Sequence, residues 1–431
     1  MKNPSPSNLR SLLSLQDLKE ERMYTAVGID DLNLYASTLT IDYADIVAAR
    51  ANFHLKDLDV TGFLRRSVLP SYEDPVTMGA NAAEPIIAES EPGAFELLVV
   101  ATETGMDHGK SLSTYIHKYL KLGAHCRNFE IKQACYAGTA ALQMAAAWVR
   151  SGVAPGKKAL VIMTDLPRRH FGELAELSIG PNAVALSVSA EPRLFELETF
   201  SGYATREVYD TARPTATTEH IDAALSLASY LDLVELAWDK YRQVAQPSSF
   251  HEHIGHMIYH TPVVPLIKQA HQVLLESDGG VVGRDEFRSS FERMVQPSLV
   301  YTRQLGNTYS ANLYAGLVGL MESLPDLQPG IRIGCFSYGS GACAELYSGY
   351  VQETAREVLA VREISDHLSA RRKVSFEEYC AAEIRTEQSL TARDFEPDFS
   401  TPPGHYADVY CGRKRLVLDK VKDFYRSYRW S

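Results

Sequence analysis

Runs of apolar residues alternate with polar, turn-forming segments along the chain, and these runs have the lengths of buried strands and of helices. Strands are predicted for "FELLVVATET", "KALVIMTD" and "AVALSVSA", because short apolar runs bounded by turn signals are typical of buried strands. Helices are predicted for "GKSLSTYIHKYLKL", "DAALSLASYLDLVELAWDKYRQVA" and "SANLYAGLVGLMESL". Strands that alternate with helices favour an α/β fold built in layers.

The two halves of the chain carry a similar unit, in which a glycine-bearing turn lies beside an apolar strand. It reads "GPNAVALSVS" in the first half and "IGCFSYGSGACAELYS" in the second, which indicates two pseudo-equivalent halves. We predict a flexible N-terminal extension at 1–22, a first half at 23–205 and a second half at 206–431. A loop is predicted around 201–220, and the chain is expected to end in helices, a proline-rich loop and a basic tail.

Composition excludes several classes of protein. The chain has 431 residues, of which 45% are hydrophobic, as in a globular protein. It has no apolar run of eighteen residues and no signal-peptide core, so neither a membrane partner nor secretion is expected. Its net charge of −11 argues against a nucleic-acid partner. The cysteines show no CxxC spacing and are interpreted as reduced thiols of a cytoplasmic protein; they are Cys126, Cys135, Cys335, Cys343, Cys380 and Cys411.

A cysteine stands at the junction between a predicted strand and an alanine-rich helix. In "EIKQACYAGTAALQMAAAWVRSG" the strand breaks at Cys135 and small residues follow, so that another group can approach the backbone closely. Free N–H groups and the helix dipole at such a position favour a thiolate. The pattern fits a nucleophile, but it also fits a small residue buried for packing.

Two further segments place proton-handling residues after apolar strands. Glu103 follows "LLVVAT" directly, at the carboxyl end of a strand where α/β sites usually form; an ordinary helix start is the alternative. "FHEHIGHMIYHTP" contains His251, His253, His256 and His260. We expect no metal there, because "MIYHTP" predicts a short strand that breaks the helical face and no Cys or Asp completes a ligand set. His260, at the end of that strand, is the best placed for acid–base work.

Two glycine-flanked turns complete the set of candidate segments. Asn307 lies between a glycine and a helix start in "RQLGNTYSANLY", where a capping role would suffice. Ser340 lies in "CFSYGSGACAE", where its backbone N–H could face a substrate oxygen or serve an ordinary turn.

Together these segments resemble the hydroxymethylglutaryl-CoA synthase family of the thiolase superfamily. They are more similar still to its acyl-carrier-protein-dependent branch, which acts in bacterial polyketide β-branching. The resemblance runs from about Val27 to Val351 and is looser in the tail. It rests on "SYEDPVTMGANAAEPII", "ATETGMDHGKSLSTYIHKYL", "FEIKQACYAGTAALQMA", "YHTPVVPLIKQAH", "LGNTYSANLY" and "RIGCFSYGSGACAELYSG". It implies a thiolase-like layered αβαβα fold made of two pseudo-duplicated halves.

The resemblance also implies a mechanism. Cys135 would be acylated by a donor thioester, Glu103 would act as the general acid/base, and His260 would orient and polarise the acceptor. The enolate formed from the acyl group would add to the β-keto carbon of the acceptor, and water would then release the product from Cys135. The substrate and its oxyanion would be held by three further residues, Asn307, Ser340 and Gly138.

The partners implied by the resemblance are a donor acyl carrier protein, an acceptor acyl carrier protein of a polyketide synthase and a second copy of the chain. No resident cofactor is implied, since the substrates arrive on phosphopantetheine of a carrier protein or on CoA. Pro265 stands where CoA-dependent members have a lysine, and the nearest lysine is Lys268, which makes CoA doubtful as the natural acceptor carrier. The shortened loop "LPRRHFGELAELSIGPNAVALSVS" leaves an acetyl or a propionyl donor open.

Three other functions stay open from the sequence: a CoA-dependent hydroxymethylglutaryl-CoA synthase, a ketosynthase-III-like condensing enzyme, and a non-catalytic carrier-protein docking module. An acidic carrier protein needs a locally basic docking surface on an acidic chain. We predict this surface at Arg168 and Arg169. The basic tail "CGRKRLVLDKVKDFYRSYRWS" is a second candidate, although a solvated amphipathic helix would also explain it.

Overall fold

The structure is a computed structural model, which describes residues 26–168, 170–277 and 279–431. The predicted extension at 1–22 lies outside the described residues, and so does Arg169. The strands are β1 (Gly28–Ala36), β2 (Leu39–Asp42), β3 (Arg65–Val68), β4 (Phe95–Ala101), β5 (Arg127–Ile131), β6 (Lys158–Asp165), β7 (Asn182–Ser189), β8 (Phe195–Thr205), β9 (Thr211–Thr215), β10 (Thr218–Ile221), β11 (His256–Tyr259), β12 (Arg332–Gly339), β13 (Cys343–Val351), β14 (Arg372–Lys373), β15 (Leu416–Lys422) and β16 (Tyr425–Trp430).

Helices occupy most of the segments between these strands, and short 3₁₀ turns lie at 174–177, 296–298 and 309–311. The α-helices are α1 (Tyr43–Ala49), α2 (Asp57–Thr61), α3 (Pro75–Ala88), α4 (Leu112–Tyr119), α5 (Ala137–Arg150), α6 (Ala223–Ala245), α7 (Phe250–His253), α8 (Val264–Glu276), α9 (Arg284–Met294), α10 (Leu299–Leu305), α11 (Asn312–Ser323), α12 (Ala355–Ala360), α13 (Ile364–Ser369), α14 (Phe376–Thr391) and α15 (His405–Val409). Within the described ranges, no helix combines the length and the apolar character that a membrane span requires.

The main sheet has nine strands in the order β11-β12-β13-β8-β1-β7-β6-β4-β5. In its first half, β4 runs parallel to β6, β6 antiparallel to β7, and β7 antiparallel to β1. The second half repeats this scheme, with β11 parallel to β12, β12 antiparallel to β13, and β13 antiparallel to β8. Only two residue pairs join β1 to β8. The two predicted pseudo-equivalent halves are therefore present in the sheet topology.

The buried side chains divide into layers. One core cluster packs α5 and α11 between apolar positions of both half-sheets. A second packs α3 and α4 on the opposite face of β4 and β6, and a third packs α6 and α8 on the opposite face of β12 and β13. The order helix, sheet, helix, sheet, helix is the predicted αβαβα arrangement. It leaves α5 and α11 as neighbours at the centre of the molecule.

The segment at the junction between the two halves is not the loop that was predicted. The stretch 201–220, predicted as a loop, contains the end of β8 and most of the hairpin formed by β9 and β10. Pro214 and the surrounding polar residues indicated a loop, whereas the threonines at alternate positions have the side chains that favour extended strands. With a predicted boundary at 205/206, β8 belongs to the first half; in the sheet it pairs with β13 of the second.

The C-terminal region begins with helices, as predicted, and ends in a hairpin. The basic tail forms β15 and β16, which pair with each other, so the alternative of an amphipathic helix is wrong. "LVLDKVK" opens with three apolar residues and contains two valines, and β-branched residues such as valine favour strands. Leu416, Leu418 and Val421 lie buried against the outer layer that contains α3 and α4.

Candidate active site

The site lies where equivalent elements of the two halves meet. Glu103 follows β4 by two residues, and His260 follows β11 directly, so each is carried at the carboxyl end of an equivalent strand. The equivalent helices α5 and α11 begin beside each other: a side chain at Gly138 would come within 2.6 Å of the carbonyl oxygen of Ser310. The fold thus places Cys135 close enough to Glu103 for their charges to interact, and it carries His260, a distant residue of the second half, at the end of the equivalent strand.

Cys135 lies in the short connection between β5 and α5, one residue before the N-cap position of the helix. The preceding Ala134 has φ of +44°, a left-handed conformation that non-glycine residues rarely adopt. The turn after β12 packs onto this connection, because a side chain at Gly339 would lie 2.5 Å from the carbonyl oxygen of Gln133 and 2.7 Å from the nitrogen of Tyr136. The tight turn that contains Ser340 thus lies beside Cys135.

Cys135 as a residue is half-buried, and its thiol is not poised as a thiolate. The protein packed around it, together with the carboxyl groups of Glu103, Asp165 and Glu219, raises the pKa of the thiol well above its usual value. The expectation of a thiolate stabilised by the helix terminus is wrong. A helix dipole contributes only about 0.3–1 kcal/mol in ordinary cases, and here burial and three carboxyl groups oppose it.

Glu103 is held by its backbone, which leaves its carboxyl group free to act. Its N–H donates to Asp165 Oδ1 at 2.8 Å, and its Oε1 lies 3.5 Å from Nη1 of Arg213. Burial and the neighbouring Asp165 and Glu219 raise the pKa of Glu103 to about 8, against the lowering effect of Arg213. A carboxyl group that titrates close to neutral pH can both accept and return a proton.

Asp165, the last residue of β6, joins the two halves at this point. Its buried carboxylate accepts hydrogen bonds from the hydroxyl groups of Thr102 and Ser310 at 2.9 and 2.5 Å, and from the Ser310 N–H at 3.2 Å. Ser310 precedes α11 in the second half, so Asp165 fixes the position of that segment relative to Glu103. Asp165 was not predicted as a site residue, although, like Glu103, it is a carboxylate at the end of an apolar strand.

His260 presents an unpaired ring nitrogen inside the protein. The backbone N–H of His260 donates to the carbonyl oxygen of Phe336 at 2.8 Å, and the backbone carbonyl of His260 accepts from the Tyr230 hydroxyl at 2.7 Å. The side chain is buried, and Nδ1 has no hydrogen-bond partner among the described residues. Burial lowers the pKa of His260 to about 3, so the imidazole is neutral at physiological pH and can orient an acceptor by hydrogen bonding.

The three residues predicted to hold the substrate lie around this centre, and each has a different role in the local structure. Asn307 is buried, and its Oδ1 accepts from the Tyr309 N–H at 3.0 Å, which is the capping alternative left open by the sequence. Gly138 allows the close approach of Ser310 described above. Beside Ser340, the N–H of Gly341 donates to Asp210 Oδ1 at 2.9 Å. The substrate contacts of Asn307, Ser340 and Gly138 stay predictions.

The remaining histidines of the cluster serve local structure. His253 Nε2 contacts the Tyr241 hydroxyl at 3.0 Å, and His253 Nδ1 accepts from Arg332 at 2.9 Å. His256 Nδ1 lies 3.2 Å from the carbonyl oxygen of Arg293. His256 begins strand β11 and His260 follows its end, and in the described ranges no three His, Cys, Asp or Glu side chains are grouped to hold a metal ion.

The hairpin formed by β9 and β10 brings two charged residues to the site. Neither was predicted from the sequence. Arg213 on β9 pairs with Glu103, and Glu219 on β10 accepts from the Tyr309 hydroxyl at 3.3 Å and contacts His170 Nε2 at 3.1 Å. Nothing local in "TARPTATTEH" marks these residues, because their partners lie far away in the sequence. Arg168, one of the two predicted docking arginines, is engaged with Glu173 at 3.1 Å and is largely covered.

Comparison with known proteins identifies what this arrangement resembles. The family described as hydroxymethylglutaryl-coenzyme A synthase N terminal matches residues 24–192, and its C terminal counterpart matches residues 285–426. The polyketide biosynthesis 3-hydroxy-3-methylglutaryl-ACP synthase PksG of Bacillus subtilis is 37% identical, over 94% of this chain and 99% of its own. A hydroxymethylglutaryl-CoA synthase of Enterococcus faecalis is 32% identical, over 75% and 82%.

Among solved structures, the HMG synthase of the curacin biosynthetic pathway in complex with holo donor-ACP superposes with a TM-score of 0.90. It is 37% identical, and the match covers 94% of this chain and 100% of that one.

Proposed function

The chain belongs to the hydroxymethylglutaryl-CoA synthase family, and from this membership we propose that it is an acyl-carrier-protein-dependent synthase of polyketide β-branching. As a member it is a condensing enzyme that forms a C–C bond, and its five layers are those of the thiolase-like fold. The observation that carries the proposal is the joint presence of Glu103, Cys135 and His260 at one site in a chain 37% identical to PksG along nearly its whole length.

The proposed reaction begins with transfer of the acyl group. The Cys135 thiol loses its proton and attacks the donor thioester, which forms an acyl-cysteine and releases the thiol of the donor carrier. Glu103 then removes a proton from the α-carbon of the acyl group, and backbone donors beside Cys135 and Ser340 hold the enolate oxygen.

Condensation and release complete the cycle. The enolate carbon adds to the β-keto carbon of the acceptor, while the neutral imidazole of His260 donates a hydrogen bond to the developing alkoxide. The protonated Glu103 is the acid available to return the proton. Water then hydrolyses the thioester at Cys135, which leaves a free carboxylate on the branched product and restores the thiol.

The relatives and helix α8 support the carrier that we propose for both substrates. The curacin synthase binds its donor-ACP, and we propose a donor acyl carrier protein for this chain as well, with an acceptor carrier of a polyketide synthase. Pro265 lies in the first turn of α8, where CoA-dependent members of the family have a lysine. The nearest lysine, Lys268, lies further along the same helix. Pro265 and Lys268 both line a cavity of about 610 Å³, together with Phe63 and Phe291.

The remaining parts of the proposal concern the setting. The substrates bring their own phosphopantetheine, so no resident cofactor is included. We place the enzyme in the cytoplasm, which fits its six free cysteines, and in the biosynthesis of an antibiotic polyketide. The donor is an acetyl or a propionyl group.

The test supplies the enzyme with acyl groups on carriers. Enzyme incubated with acetyl- or propionyl-loaded donor carrier should gain the acyl mass on Cys135, and an acetoacetyl-loaded acceptor carrier should then gain the corresponding carboxyalkyl mass. Intact-protein mass spectrometry follows both steps. The matched control replaces each carrier with CoA. Efficient turnover with the CoA substrates but none with the carriers would instead support a CoA-dependent synthase, and no acylation from either would support a docking module.

We further propose that two copies of the chain pair along β5. This strand ends the nine-stranded sheet, so one of its edges has unpaired backbone groups that can join another strand. Phe129 on β5 is 38% exposed and Met144 on the adjoining α5 is 55% exposed, which gives this edge an apolar surface.

Replacing Phe129 and Met144 together with glutamate should convert the dimer into single chains, because charge would be buried in the interface. Sedimentation velocity at matched concentrations measures this. Val281, which is 97% exposed in a loop away from β5, provides the control: Val281→Glu should leave the dimer intact. This interface would be ruled out if the wild type sedimented as a monomer, or if the double variant still sedimented as a dimer.

A further inference from the structure

The guanidinium of Arg213 lies inside the active site and is only partly used by the protein. Its Nη2 donates to the carbonyl oxygens of Leu166 and Ala216, both at 3.1 Å. These bonds hold the side chain, which is 10% exposed, so that Nη1 lies 3.5 Å from Glu103 Oε1. Neither Nη1 nor Nε donates a hydrogen bond to any described residue. Arg213 is thus a buried cation whose free donors face the carboxyl group of Glu103.

The other groups around Glu103 are acidic. Asp165 on β6 and Glu219 on β10 both face it, and the Cys135 thiol and the Tyr309 hydroxyl are close enough to interact with it electrostatically. Each of these groups becomes anionic when it loses a proton, so each opposes ionisation of Glu103. The cation on β9 is what offsets them.

The hairpin is anchored so that this cation cannot move away easily. Glu219 receives hydrogen bonds from His170 and Tyr309, and it is buried. Although burial opposes its ionisation, the hydrogen bond from His170 and the charge of Arg213 lower the pKa of Glu219. The charge of Arg213 therefore interacts with both carboxyl groups, that of Glu103 at 3.5 Å and that of Glu219 on the neighbouring strand.

We propose that Arg213 is a positioning residue for the condensation: carried by the β9–β10 hairpin, it is the counter-ion that allows Glu103 to exist as a carboxylate and remove the α-proton of the acyl group. The inference rests on the proposed function for its chemistry. It assigns to the hairpin, which lies outside the two family matches at 24–192 and 285–426, an electrostatic role in the reaction.

Two substitutions should move the pH profile in opposite directions. In the wild type, exchange of the acyl-Cys135 methyl protons in D₂O should rise with pH through about 8, the pKa to which burial and its acidic neighbours raise Glu103. Arg213→Met should move this rise upward by about one to three pH units, the usual effect of an opposite charge at this range. Glu219→Gln, which removes a negative neighbour and keeps its shape, should move it downward.

The magnitudes separate an electrostatic role from a structural one. At pH 7, Arg213→Met should slow exchange by roughly 10- to 10³-fold, since each pH unit changes the carboxylate fraction about tenfold, and the rate should recover at high pH. Arg213→Lys keeps the positive charge, so its pH profile should lie close to that of the wild type. Arg206→Met is the matched control, because Arg206 precedes the hairpin and pairs with Asp232 where both side chains are more than half exposed; its profile should equal that of the wild type.

A measurement without substrate tests the effect of Arg213 on Glu103 separately from the proposed reaction. Difference infrared titration of each protein against its Glu103→Gln counterpart follows the carboxylate band of Glu103. The band should appear at higher pH in Arg213→Met and at lower pH in Glu219→Gln. Unchanged midpoints, or exchange that falls equally at every pH, would overturn the role of Arg213. If the wild type never formed acyl-Cys135 while the two variants still showed the shifted bands, only the proposed function would be overturned.

Discussion

Replacement of Cys135 with serine should abolish acyl loading from the donor carrier and lower overall turnover by several orders of magnitude. The nucleophile is lost while the shape of the side chain is nearly kept, and removal of a catalytic nucleophile costs on the order of 10⁶ in kcat in a well-measured case. A serine hydroxyl is intrinsically a much weaker acid than a thiol, and the same carboxyl groups would further oppose its ionisation. Intact-protein mass spectrometry after incubation with acetyl-loaded carrier measures the loading.

The control for this experiment is a cysteine that reagents can reach. Cys411 is exposed and lies in the C-terminal region, so Cys411→Ser should load as well as the wild type. Thermal unfolding should agree among the three proteins, since neither change alters a buried apolar contact. If the Cys135→Ser protein still turned over like the wild type, Cys135 would be a packing residue and the acyl-cysteine mechanism would be wrong.

Replacement of Glu103 with glutamine should separate the two half-reactions. Condensation should fall by about 10²–10⁴, the usual cost of a lost general base, as measured by single turnover of pre-acylated enzyme with an acetoacetyl acceptor. Loading should persist. Above pH 8 it should even be faster than in the wild type, because the charge of Glu103 is among the groups that raise the pKa of the Cys135 thiol, and its removal increases the thiolate fraction.

Asp107 provides the matched control for this substitution. It lies in the same loop after β4, but its carboxylate is exposed and accepts hydrogen bonds from the N–H groups of Gly109 and Lys110. Asp107→Asn should leave both half-reactions near the wild-type rate. Equal loss of loading and condensation in Glu103→Gln would mean that Glu103 activates the thiol or shapes the site, and would contradict its role as the base for the α-proton.

The part of the site predicted from sequence is the part marked by local patterns. Glu103 and His260 each end an apolar run, and Cys135 interrupts one, so their positions at strand ends could be predicted. The repeated strand-and-turn unit likewise predicted the two halves. In each case the signal spans only a few neighbouring residues.

What escaped prediction depends on contacts between distant segments. The expectation that Cys135 is a thiolate was wrong because the sequence pattern indicates the helix terminus. It does not indicate that Asp165 and Glu219 lie close to the thiol. Arg213 and Glu219 were missed for the same reason. Their hairpin contains a proline and few apolar residues, so that its strands are defined mainly by pairing with each other and by the charges it places in the site.

The equivalence of β4 and β11 has a consequence for how the protein could have evolved. Two copies of one unit each present a side chain just after the equivalent strand, yet the first copy now holds an acid that titrates near 8 and the second an imidazole that stays neutral down to about 3. A symmetric ancestor would have had to use one residue type for both tasks. Duplication within a single chain removed that constraint, so selection could adjust carbanion formation through one copy and ketone activation through the other.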